Sequence, residues 1–192
     1  MTAMVPSRIP AGATAEGDGI LVGRGPVRVE AFIDFLCPFC RRFELSSGPA
    51  LALMVADGQI SLAYHPMNFL DEASTTQYST RATAASGCAA DRGRFVEYAH
   101  ALFENQPHEG GPGLSDAELV DLAAVAGITG PELAACVADG PYLEWPSYVT
   151  ARAAGAGVGG TPTVLVAGAG VDPDPKAITA AVADAARQQG LA

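Results

Sequence analysis

The stretch Val27 to Phe43, VRVEAFIDFLCPFCRRF, decides how the chain is read. Its first half is apolar and rich in strand-formers: Val27, Val29, Phe32, Ile33, Phe35 and Leu36. Only Arg28, Glu30 and Asp34 interrupt it, which suits a strand buried on both faces. Cys37-Pro38-Phe39-Cys40 comes next, followed by helix-compatible residues. The two cysteines therefore fall where a strand ends and a helix begins. A thiol there faces unpaired backbone N–H groups and the positive end of the helix dipole. Both favour thiolate over thiol and lower the cysteine pKa. Pro38 suits the first turn, where a missing N–H costs nothing. The reading makes Cys37 the exposed, attacking sulfur, and Cys40, one turn later, the sulfur that resolves a mixed disulfide.

A C-x-x-C pair also supplies half of many zinc sites, or a structural disulfide. Zinc needs about four ligands. The chain has no second C-x-x-C, and His65, His100 and His108 show no paired ligand spacing, so no metal site is expected. The discriminating feature lies downstream, at Gly159-Gly160-Thr161-Pro162-Thr163-Val164-Leu165-Val166, a Thr-Pro step that opens a β-branched strand.

Strand, CPFC and helix, taken with a late GTPTVLV strand, resemble the thioredoxin superfamily. The closest match is the DsbA-like thiol oxidoreductases, in which a helical domain interrupts the thioredoxin fold. The resemblance runs from about Leu21 to the C-terminus. It implies an α/β, thioredoxin-like fold with an inserted all-helical domain. It implies catalysis by Cys37 and Cys40, with Pro38 and Phe39 tuning their redox behaviour. Thr161-Pro162 resembles the family's cis-proline step, beside which an extended substrate peptide binds like an added strand. An ordinary trans proline at a strand start is the alternative.

Two departures from the family pattern stand out. Phe39 brings no hydrogen-bond donor or charge where some members have His, so a less extreme oxidant is expected. The acid that thioredoxins carry six residues before the first cysteine is absent; Ala31 stands there. Glu30 should point to the opposite face, and Asp34 is another stand-in; either is equally readable as solvated or paired.

The rest of the chain sets the boundaries. The 192 residues, 49% of them hydrophobic and 17% charged, can bury a real core. A net charge of −10 disfavours a general nucleic-acid or anionic-membrane binder. The longest apolar run, Ala50 to Ala56, is far short of the ~20 residues of a membrane span. Residues 1–20 read as a disordered or extended segment, and residues 21–73 and 156–192 as the thioredoxin-like domain. Residues 74–155, where strand signals vanish, read as the helical insertion. Gly48-Pro49 predicts a kink or break in the helix Arg41–Ala56, and Ser115/Glu118 and Thr129/Glu132 each match a capping box. Met1 to Gly25 lacks the apolar region of a secretory signal. A cytoplasmic location is therefore expected, with export and loss of a leader as the alternative.

Cys88 and Cys136, both in the insertion, read equally as a second disulfide or as buried free thiols. His65 is expected to be structural, and His100 and His108 to lie on a helix surface and a loop.

The function expected is thiol–disulfide exchange with protein or peptide thiols and disulfides, served by an unidentified redox partner. It needs no metal or organic cofactor, no nucleic acid and no membrane insertion, and a monomer suffices. A glutathione-linked transferase or isomerase on a related scaffold is the competing enzyme, disfavoured by the retention of both cysteines. A peptide-binding or chaperone module with a structural C-x-x-C is the non-enzymatic alternative.

Overall fold

A computed structural model describes residues 4–191. The central strand β2 (Val27–Ile33) runs parallel to β3 (Ile60–Pro66), and helix α1 (Pro38–Ala56) makes the crossover between them. A short strand β1 (Ile20–Val22) lies antiparallel to β3. On the far side, β4 (Thr163–Val166) pairs antiparallel with β2, and β5 (Ala169–Val171) with β4. The sheet order is β1-β3-β2-β4-β5. Ala167 and Gly168, at φ 48° and 82°, form the two-residue turn between β4 and β5, where both central residues must be left-handed.

β2 is central because its composition lets it be. Val27, Val29, Ala31 and Ile33 are sealed on one face. The other face is less closed than the apolar pattern suggests: Phe32 is buried, but Arg28 and Glu30 are half-buried. Helix α7 (Pro175–Gln188) packs on β2, β4, β5 and α1. It places Ile178, Val182 and Ala185 in the core, and Asp174 caps its first turn by accepting from Lys176 and Ala177 N–H.

Between β3 and β4 the described residues form only helices: a 3-10 turn at Asp71–Ala73, then α2 (Tyr78–Ala90), α3 (Phe95–Glu104), α4 (Asp116–Val125), α5 (Glu132–Asp139) and α6 (Trp145–Gly155). Helices α2 to α5 pack on one another, α3 reaches α1, and α6 packs on β3. This is a thioredoxin-like α/β sheet with helices inserted between β3 and β4. No described helix is long and apolar enough to cross a membrane.

Several local expectations need correction. Residues 4–19, read as a disordered or extended arm, are turn-rich and packed; residues 1–3 lie outside the described range. Trp145, fully buried, donates its indole N–H to the Gly17 carbonyl at 2.8 Å, and the Tyr148 hydroxyl donates to Glu16 at 2.7 Å. These aromatic donors must find acceptors once buried, and the N-terminal backbone supplies them. Helix α1 runs unbroken through Gly48-Pro49, although Pro49 leaves the Leu45 carbonyl without its usual helical donor. The Ser115/Glu118 capping box forms in full. The Thr129/Glu132 box does not: Gly130, at φ 93°, and Pro131 turn the chain, and α5 starts only at Glu132.

Candidate active site

β2 ends at Ile33, and Asp34-Phe35-Leu36 turn the chain into α1. Asp34 shapes that turn from both ends. Its carbonyl accepts from Cys37 N–H at 3.1 Å, and its carboxyl accepts from Leu36 N–H at 2.8 Å, a local side-chain turn. Cys37 then occupies the N-cap of α1, in extended conformation (φ −72°, ψ 117°), and Pro38 is the first helical residue. The sequence pattern placed both cysteines at a strand-to-helix junction, and there they sit, as free thiols.

The two sulfurs have opposite environments. The Cys37 thiol is lowered to about 6. The largest cause is a hydrogen bond from the Cys40 thiol; the Thr161 side chain and the N–H groups of Cys40 and Phe39 add to it, against the cost of burial. Cys40 is pushed far upward, first by burial, then by the neighbouring Cys37 thiolate. Its sulfur accepts from Asp34 N–H at 3.4 Å. Cys37 is less open than expected: only 4% of the residue is exposed, and Cys40 is at 0%. The covering comes from the loop before β4, whose Thr161 carbonyl lies 3.4 Å from Cys37 Sγ. The Thr161–Pro162 peptide is cis, and the next residue, Thr163, pairs with Phe32 of β2. Strand pairing thus carries Thr161 and Pro162 to the cysteines.

Pro38 is exposed and Phe39 projects into solvent, 59% exposed. Phe39 brings no charge of its own, but the Arg42 guanidinium lies 5.4 Å from the centre of its ring. The spacing of three residues on one helix could have signalled this contact.

Of the acids weighed as stand-ins, Asp34 is the one at the site. It is fully buried, and its carboxyl also accepts from Ser79 Oγ at 2.6 Å and Leu70 N–H at 2.8 Å. Burial raises its pKa to about 6; the three donors oppose that shift, and the Cys37 charge adds to it. Ala31 is a sealed strand residue. Glu30 points the other way, toward His65, which holds its pKa down. His65 is buried, stacked on Phe32 at 4.4 Å, with Nδ1 2.7 Å from the Asp18 carbonyl.

One site residue escaped the sequence entirely. Gln106, in the loop after α3, donates from Nε2 to the carbonyls of Phe35 at 2.9 Å and Cys37 at 3.0 Å. No local pattern marks a loop glutamine as a partner for a turn about 70 residues away. Cys88 and Cys136 are bonded to each other, joining α2 to α5 with a Cα–Cα distance of 5.9 Å.

Comparison with known proteins matches this geometry to known folds. A family model described as Thioredoxin matches residues 18–184. The structure is similar to the reduced form of the disulfide bond oxidoreductase DsbG from Mycobacterium tuberculosis, at 33% identity, 88% coverage of each chain and a TM-score of 0.77. It is also similar to reduced DsbA from Mycobacterium tuberculosis, at 32% identity and a TM-score of 0.71, covering 88% of this chain and 99% of that one. Among curated sequences, it is 36% identical over 160 residues to the serine/threonine-protein kinase PknE of Mycobacterium tuberculosis. That match takes in 77% of this chain, which spans only 28% of the kinase.

Proposed function

The chain belongs to the thioredoxin superfamily and is DsbA-like, and from that footing we propose that it is a protein disulfide oxidoreductase that exchanges disulfides through Cys37 and Cys40. The observation that carries this reading is the opposed pair of sulfurs on one helical turn, one thiol lowered to about 6 and the other raised by burial.

In the oxidising direction a substrate thiolate attacks Cys37 Sγ of the Cys37–Cys40 disulfide. The Cys37–Cys40 bond breaks, Cys40 leaves as thiolate and takes a proton, and a mixed disulfide joins substrate to Cys37. A second substrate thiolate then attacks its own disulfide-bonded sulfur. The substrate disulfide forms and Cys37 leaves as thiolate. A thiol held near 6 is a good leaving group and stabilises the reduced enzyme, which supports net donation of disulfides. Thr161 and Pro162 flank the reacting sulfur and would receive the substrate backbone in extended form.

The substrates proposed are protein or peptide thiols, and an unidentified partner re-oxidises the pair. The Cys88–Cys136 disulfide supports an oxidising compartment, and so the exported alternative. The test is direct. The oxidised protein is mixed with a reduced two-cysteine peptide and quenched with acid. The peptide should gain a disulfide as Cys37 and Cys40 gain two alkylatable thiols. A peptide that stays reduced while Cys37–Cys40 stays oxidised would defeat the reading.

A further inference from the structure

The turn that presents Cys37 is held from outside its own domain. Phe35 and Leu36 follow β2 and precede α1, so neither ladder nor helix satisfies their backbone. Among the described residues no backbone N–H donates to the Phe35 carbonyl; the Gln106 side chain does, at 2.9 Å. The second proton of the same amide goes to the Cys37 carbonyl at 3.0 Å, which also accepts from Arg41 N–H. A side-chain amide has two donor protons, and here both serve one turn.

Gln106 is itself on a firm base. Arg41, on the first turn of α1, donates from Nε to the Phe103 carbonyl at 2.9 Å. Gln106 N–H donates to that same carbonyl at 3.4 Å, and the Phe103 ring lies 5.1 Å from the Phe35 ring. Helix α3, the start of α1 and the presenting turn form one packed unit.

From this arrangement we propose that Gln106 is a positioning residue for disulfide exchange: the helical insertion, through its amide, holds the Phe35–Cys37 turn in the conformation from which Cys37 reacts. The proposal rests on the oxidoreductase reading above. Cys37 Sγ draws its stabilisation from the Cys40 thiol, the N–H groups of Phe39 and Cys40, and the Thr161 side chain. All of these act over short range, so a slack turn would let the sulfur drift from them. The charged and titratable groups around it are Asp34 on the turn and Cys40 on α1. Arg41, His108 and Glu109 line the cleft beside Gln106.

The test compares Gln106→Met, of similar length without donors, and Gln106→Ala with Glu109→Gln, which alters the same cleft but no bond to the turn. Two quantities are read on the full chain: the pH midpoint of Cys37 alkylation, and the equilibrium constant of Cys37–Cys40 with glutathione. Both Gln106 variants should raise the midpoint and shift the equilibrium toward the protein disulfide by about threefold or more. Glu109→Gln should match wild type. A role in stability alone would lower the melting temperature and leave midpoint and equilibrium unchanged; that result overturns the proposal. Gln106 is only half-buried in a loop, so its variants should fold. If wild type itself fails to equilibrate with glutathione, the oxidoreductase reading falls. If wild type equilibrates and the variants match it, only the role of Gln106 falls.

Discussion

Cys37 Sγ and the carbonyl oxygen of Thr161, 124 residues apart in sequence, lie 3.4 Å apart in the fold. Antiparallel pairing of β4 with β2 brings them together, because Phe32, five residues before Cys37, pairs with Thr163, two residues after Thr161. This contact nearly closes Cys37 from solvent, leaving the residue 4% exposed.

The lowered Cys37 thiol sets a first prediction. Alkylation of the reduced protein should be half-maximal near pH 6 and level well above it. Cys40→Ala removes the largest stabilising donor and should move the midpoint up toward 9, the ordinary value. Cys40→Ser retains a hydroxyl donor and should move it less. The linkage has a definite sign. A depressed thiol pKa stabilises the folded, reduced form above 9, and this contribution is lost as pH falls through about 6. Urea unfolding of the reduced protein should show that trend against Cys37→Ala. A wild-type midpoint near 9 would contradict the thiolate environment.

Asp34 gives a second, opposite in sign. Its carboxyl accepts from Leu36, Leu70 and Ser79, and Asp34→Ala would strand three donors, those of Leu36 and Ser79 buried and that of Leu70 half-buried. A loss of about 2 kcal/mol or more is expected in urea unfolding, at roughly 1 kcal/mol or more for each of the two buried donors. Its pKa is raised by burial, so its protonated form favours the fold. That contribution is complete below 3.8 and is lost as pH rises through about 6. A stability slope over this range that is the same in wild type and Asp34→Asn would refute the assignment.

The residues that carried the fold in sequence were those whose signals are local. A run of apolar strand-formers marked β2, the CPFC step marked the helix start that follows β2, and the GTPT step marked the entry into β4. Ser115 and Glu118 act within one helical turn, and their box formed. Thr129 and Glu132 match the same pattern, but Gly130 and Pro131 between them carry the chain away from a helical start. β1, three residues long, has too little alternation to be seen without β3 beside it. The burial of Asp34 and the near-closure of Cys37 come from Ser79, Leu70 and Thr161. Gln106 belongs to this group. Such contacts depend on packing between elements, which no window of the sequence contains.

The Cys88–Cys136 disulfide yields a third prediction. It spans 48 residues and ties α2 to α5 within the insertion. The double variant Cys88→Ala, Cys136→Ala should lose up to about 4 kcal/mol, the chain-entropy value for a loop of this length. Exchange through Cys37 should survive wherever the variant stays folded. Loss of exchange in a fully folded double variant would mean that the second disulfide takes part in the redox cycle.

The account stands on Cys37 as the sulfur that bonds to substrate and Cys40 as the one that releases it. The most direct measurement incubates reduced Cys37→Ser and Cys40→Ser with a disulfide-bearing peptide, followed by mass spectrometry without reductant. Cys40→Ser should retain the peptide, attached at Cys37, because attack proceeds and resolution cannot. Cys37→Ser should carry no adduct, since the remaining Cys40 thiol is buried and held protonated. An adduct on Cys37→Ser with none on Cys40→Ser would reverse the roles, and no adduct on either would contradict the enzymatic reading.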